Sequence, residues 1–247
     1  MIAARATAVV VVLAGAAGLS ACESTADKSA AIAREGKEAV QDAGTLRISR
    51  NADLAVARAV VVRGAGGTVA AAVEVRNRGG HAQRDVPVLI DVRDAEGGSL
   101  YKNDATGLQP ALQRLASVRA HRTSWWVNDQ VTVASAPRSV KARVGAAPAA
   151  GSVPDVSLRG VHFDGDATGR YLTGVVVNPS RIVLRAVPIF AVALKGSRVV
   201  AAGRALVPKL PAAGGRKQIH FRLFFVGDPR GARVALTVAP TVVASKS

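Results

Sequence analysis

From Asp53 to the end of the chain, hydrophobic and polar positions alternate in short runs rich in valine and broken by Gly, Pro, Asn and Asp. LAVARAVVV, TVAAAVEVRN, VPVLIDVRD and LTGVVVNP are examples. A period of two puts successive side chains on opposite faces of a strand, and β-branched residues suit that pleated surface. No stretch beyond residue 50 carries the 3.6-residue period of a helix, so the pattern predicts an all-β body.

The pattern occurs twice. Residues 73–92 overlay 174–193 without a gap, pairing Val75 with Val176, Asn77 with Asn178, Arg84 with Arg185, Val86 with Val187 and Pro87 with Pro188. Each copy then carries an aromatic pair, Trp125-Trp126 in one and Phe224-Phe225 in the other, followed by a closing valine-rich run. Two units of roughly 90–100 residues with six or seven strands fit the size of an immunoglobulin-like sandwich. The expected architecture is therefore two tandem immunoglobulin-like β-sandwich domains, at 51–146 and 155–245, joined by an Ala/Pro/Gly-rich linker at 147–154. Asn77 and Asn178 are expected to form Asx turns at strand ends.

The centre of the repeat follows a scheme in which a G-x-V-x-N strand ends at its Asn, a short loop follows, and a V-x-V-x-V strand leads to a D-x-x-G hairpin. Gly174, Val176 and Asn178 fit the first strand in one copy, and Val75 and Asn77 in the other, where Val73 replaces the glycine. Val86, Val88, Ile90, Val92, Asp94 and Gly97 fit the continuation; in the second copy Val187, Ile189, Ala191 and Ala193 continue it to a shorter turn at Lys195-Gly196. This resembles bacterial extracytoplasmic sandwich modules of the FxLYD and related types. The resemblance implies an adhesive, scaffolding or ligand-binding role with no shared catalytic site, so it carries no functional residue onto this chain.

The first 21 residues combine one positive side chain, Arg5, with an uncharged run from Ala6 to Gly18 and small residues before Cys22. That is the three-part pattern of a secretory signal, and the run is short and weakly apolar for a membrane span. Leu19-Ser20-Ala21-Cys22 resembles the lipobox of bacterial lipoproteins, which implies cleavage before Cys22 and a diacylglyceryl group on its sulfur. Residues 1–21 are thus expected to be a lipoprotein signal peptide, and 22–50, polar and alanine-rich, a tether from the membrane with at most a short helix. Cys22 is the single cysteine, which excludes an intramolecular disulfide and a Cys-based zinc site.

Lys and Arg number 33 against 17 acidic residues. The excess is uneven: residues 51–150 hold 13 basic and 8 acidic side chains, residues 151–247 hold 14 and 4. Part of it follows from an Ala/Val/Gly/Arg-rich composition. Convergence of Arg181, Arg185, Lys195, Arg198, Arg216 and Lys217 would make an anion-binding surface in the second unit. The adjacent rings of Trp125-Trp126 and Phe224-Phe225 point to opposite faces of a strand, so one of each pair is expected outward or in an interdomain contact, as a candidate partner-contact aromatic.

His81, His121, His162 and His220 lack metal-ligand spacing, and no serine lies in a nucleophile elbow. Asp164-Gly165-Asp166 opens like a calcium loop, but position 175 is Val where a bidentate Glu is required, so a hairpin turn is expected. Gly64-Ala65-Gly66-Gly67 likewise reads as a hairpin turn. No nucleophile and base can be named, so the expectation is a non-enzyme without cofactor or metal: a lipid-anchored binding or scaffold protein of the bacterial cell envelope, outside the cytoplasm. Its expected partners are the membrane through the lipid on Cys22 and envelope proteins or anionic polymers, with no specific nucleic acid. The alternative is a protein that binds anionic envelope polymer or lipid through the basic second unit.

Overall fold

A computed structural model describes residues 48–166, 169–213 and 218–240, all within one compact unit. The signal peptide, Cys22 and most of the tether lie outside the described residues. The first half contains β1 (Leu54–Arg63), β2 (Val69–Asn77), β3 (Ala82–Arg93), β4 (Ser99–Lys102), β5 (Arg114–Val118), β6 (Thr123–Val131), β7 (Ser139–Val144) and β8 (Ala149–Ala150). The second contains β9 (Ser157–Asp166), β10 (Gly169–Val177), β11 (Leu184–Lys195), β12 (Arg198–Leu210), β13 (Ile219–Phe224), β14 (Val226–Gly227) and β15 (Arg233–Val238). The all-β sandwich expectation holds: every named pairing is antiparallel, and the only helical pieces among these residues are 3-10 turns at Ala65–Gly67 and Pro110–Leu112.

The strands form two pairs of sheets with one plan. In the first half β1-β2-β6 faces a sheet centred on β3, which carries β5 then β4 along one edge and β8 then β7 along the other. In the second half β9-β10-β13 faces β14-β12-β11-β15. The shared plan reaches the hydrogen bonds. Asn77 Nδ2 donates to the His81 carbonyl at 2.8 Å and its Oδ1 accepts from the Gly79 amide, while Asn178 makes the matching bonds to the Ile182 carbonyl at 2.8 Å and the Ser180 amide. Both expected Asx turns are present, and both Asn side chains are buried. Asp85 and Ala186, at equivalent places in β3 and β11, share a left-handed backbone with φ of 51° and 47°.

Each repeat ends differently in register. Val73 of β2 faces Trp126, and its counterpart Gly174 of β10 faces Phe221. The equivalent of Trp126 is therefore Phe221, not a member of the Phe224-Phe225 pair. The shift arises because the first half breaks one edge into β4, a 3-10 turn and β5 where the second runs straight through β12. At that break Asn103 replaces the missing ladder: its Oδ1 accepts from the Ile90 amide at 2.8 Å, and its Nδ2 donates to the carbonyls of Val88 and Leu112.

The two halves stack sheet on sheet. Along β11, Val187, Ile189 and Ala191 belong to the core of the second half, whereas Phe190 and Val192 are buried with residues of the first. β12 divides the same way, with Ala205 and Val207 on one side and Ala202 on the other. A strand covered on both faces loses alternation and reads as a continuous apolar run, which is why β11 is VPIFAVAL at its centre. On the facing sheet of the first half, Ala70 and Ala72 are wholly buried, and these small side chains let the sheets approach. β6 crosses β12, β11 and β15: Asp129 near one end bonds the Arg204 amide and guanidinium, and the Trp125 amide near the other donates to Thr237 Oγ1 at 2.9 Å.

The segment between the halves is hydrogen-bonded to the first. Ala149–Ala150 pairs with Ala82–Gln83, the Pro148 carbonyl accepts from the Arg84 amide, and Arg119 bonds the Pro154 carbonyl and the Asp155 carboxylate.

Candidate functional site

The outer side of the β9-β10-β13 sheet gathers aromatic and charged side chains from all three strands. Antiparallel pairing sets Asp164, Tyr171 and Phe224 in one row across the three strands and His162, Thr173 and Arg222 in the next. The Tyr171 ring is buried although it lies on the outer face, because its neighbours cover it. The Arg222 guanidinium sits 4.7 Å from the ring centroid, Phe224 stands 5.4 Å away at 56°, and the hydroxyl reaches Asp164 Oδ2 at 3.4 Å. Burial raises the Tyr171 pKa, Asp164 and Asp166 add to the rise, and Arg222 opposes it.

Arg222 also reaches Asp166 at 3.3 Å. Phe224 itself remains 45% exposed, so the row ends in an open aromatic ring beside a guanidinium. Aromatic and Arg side chains together are the composition enriched at protein contact sites. Phe225 turns the other way, half-buried and 6.0 Å from Phe163, as alternation requires. Gly203 permits this geometry, since a Cβ there would collide with the Phe224 carbonyl where the chain passes from β13 to β14.

The two tryptophans are not open to solvent. Trp126 is fully buried with its indole N–H donating to the Ala111 carbonyl at 2.9 Å, and Trp125 is 7% exposed beneath Arg58 and the β15 strand of the other half. Sequence alternation separated the two rings correctly, but the second half covers the outward one.

The expected basic cluster is dispersed. Arg181 and Arg185 lie at the start of β11, and Lys195 pairs with Arg198 at the β11–β12 hairpin. At about 3.3 Å per residue those two ends are roughly 30 Å apart. Arg216 and Lys217 fall outside the described residues. Near the hairpin, Arg230 holds the Asp228 carboxylate with a 2.7 Å bond, and this contact, with help from Lys195, lowers the Asp228 pKa to about 2.

All four histidines are exposed, and among the described residues no three His, Cys, Asp or Glu side chains gather as metal ligands do. Asp164, Gly165 and Asp166 are the last ladder residues of β9, paired with Tyr171, Arg170 and Gly169 of β10, so the expected turn residues there are strand; Gly64–Gly67 closes the β1–β2 hairpin with Gly66 and Gly67 at positive φ, a turn as expected. Among the described residues no helix is long and apolar enough to cross a membrane. Compared with known proteins, the chain matches no family model and no curated sequence.

Proposed function

We propose that this protein is a non-catalytic binding or scaffold module of the bacterial cell envelope, held at a membrane by lipid on Cys22. It engages a protein partner through the outer face of β9-β10-β13. The observation that carries this reading is Phe224, a large apolar ring 45% exposed on an ordered strand, flanked by Arg222 and the buried Tyr171. An exposed aromatic on a sheet face desolvates readily against a partner and loses little side-chain entropy, because its neighbours already fix it.

The anionic-polymer reading has less support, because those of its cations that are described, Arg181, Arg185, Lys195 and Arg198, stand toward opposite ends of β11. Membrane attachment rests on the lipobox-like Leu19-Ser20-Ala21-Cys22. FxLYD-like membership rests on the repeat spacing alone.

The test is a photo-crosslinking residue at position 224 in the native envelope, with a second placed at exposed Lys141 of the first half as control. A discrete protein adduct from position 224 but not from 141 is expected, and it should be lost in Arg222→Glu. Equal or absent adducts from both positions would overturn the reading. Cys22→Ser should abolish lipid labelling, and retained labelling would remove the anchor from the proposal.

A further inference from the structure

The outer face of the β3-centred sheet carries a groove of about 640 Å³. Ladder register builds it: Lys102 of β4 and Lys141 of β7 both pair with Asp91 of β3, from its two sides, and Arg143 of β7 pairs with Leu89. Two ladder spacings put the backbones of the two lysines about 10 Å apart, and Arg143 stands about 7 Å along its strand on the same face as Lys141. Asp91, on the floor, is already engaged, with Arg93 Nε donating to Oδ2 at 2.8 Å and Ser99 Oγ to Oδ1 at 2.7 Å. Among the described residues, no carboxylate lies within ion-pair distance of Lys102, Lys141 or Arg143. The groove therefore sets three unpaired cations against one further carboxylate, Asp104, two residues beyond Lys102. Half-buried Leu89 gives the floor an apolar patch.

We infer that this groove binds the phosphate ester of a sugar-sized polyol. The phosphate meets Lys102, Lys141 and Arg143. Ammonium groups are point charges on flexible stems and can approach a tetrahedral oxyanion from several sides, whereas a flat carboxylate is matched by one guanidinium fork. The carbon skeleton lies over Leu89, and its hydroxyls donate to Asp104, a group that would repel a bare anion. The volume falls in the range of about 300–1,000 Å³ typical of small-molecule sites, more than a lone phosphate fills. This site is separate from the Phe224 face and takes a small ligand or head group, not a protein.

The experiment titrates the full chain with inositol 1-phosphate, inositol and inorganic phosphate, followed by calorimetry at low salt. Saturable one-to-one binding of the ester, at least about tenfold tighter than either fragment, is expected. Lys141→Gln with Arg143→Gln should weaken it at least about tenfold with an unchanged circular dichroism spectrum, because both side chains are exposed. Arg181→Gln with Arg198→Gln removes the same charge from exposed positions of the second half and should leave binding intact. Asp104→Asn should weaken the ester several-fold while tightening inorganic phosphate. Vesicles of phosphatidylinositol and of phosphatidylcholine identify the source: a preference for the former that Lys141→Gln with Arg143→Gln removes assigns a lipid head group, and no preference assigns a soluble ester. No ester binding, an ester held no tighter than inorganic phosphate, or equal loss in the two double variants would overturn the inference.

Discussion

Phe190 is where the stacking of the two halves is best tested. It lies at the middle of β11 between Arg204 of β12 and Thr237 of β15, in one row across the sheet. Its two neighbours make the polar contacts to β6 of the first half, Arg204 to Asp129 and Thr237 to Trp125, and its own ring is wholly buried between them. Phe190→Ala removes a ring from a layer that cannot close, because both flanking sheets are held by their own ladders. Such a truncation costs about 3–5 kcal/mol, the lost transfer energy plus a cavity. For a body of this size, at about 2–4 °C per kcal/mol, the melting temperature should fall by roughly 6–20 °C. The assay uses the position of the tryptophans: both lie on β6, so their fluorescence follows the first half, while far-ultraviolet circular dichroism follows all strands. If the halves are one cooperative unit, the two signals shift together although Phe190 belongs to the second half. A fluorescence transition that stays in place while the dichroism transition moves would refute the shared layer.

Three further outcomes follow from particular contacts. Asp129→Ala leaves Arg204, whose side chain is 6% exposed, with only a 3.4 Å contact to Gln109; the loss in chemical denaturation should fall toward the low end of about 3–5 kcal/mol, because Asp129 keeps some solvent. Asn103→Ala orphans the Ile90 amide and two carbonyls in the core of the first half and should cost about 1–3 kcal/mol per unsatisfied group, a loss that Asn103→Asp does not restore. The Asp228 carboxyl should titrate near 2 by nuclear magnetic resonance, and Arg230→Gln should return it toward its ordinary 3.8. Because the folded value lies below the ordinary one, whatever stability this contact adds is present above about pH 4 and fades as pH falls toward 2, the opposite of a histidine contact.

Much of the fold is written locally. Alternation of period two, turn glycines and the repeated Asn are each short-range signals, and each has a short-range cause: the pleat, the left-handed backbone, and an Asx side chain bonding its own main chain. They are enough to give an all-β chain, the β1–β2 and β9–β10 hairpins, and the matched loops after Asn77 and Asn178. Tertiary structure decided the rest, because it depends on which faces meet. The two aromatic pairs look equivalent in sequence, yet ladder register makes Trp126 the counterpart of Phe221, since unequal strands between them change the spacing. Alternation says that Trp125 and Trp126 point apart, but only the packing of the second half on β6 hides Trp125 while leaving Phe224 open. The run of basic residues along 181–198 is contiguous enough in sequence to suggest a cluster, and an extended strand separates its ends. The groove over Leu89 draws on Lys102, Lys141 and Arg143, which no local pattern links, because the face that gathers them exists only once β4 and β7 have paired with β3.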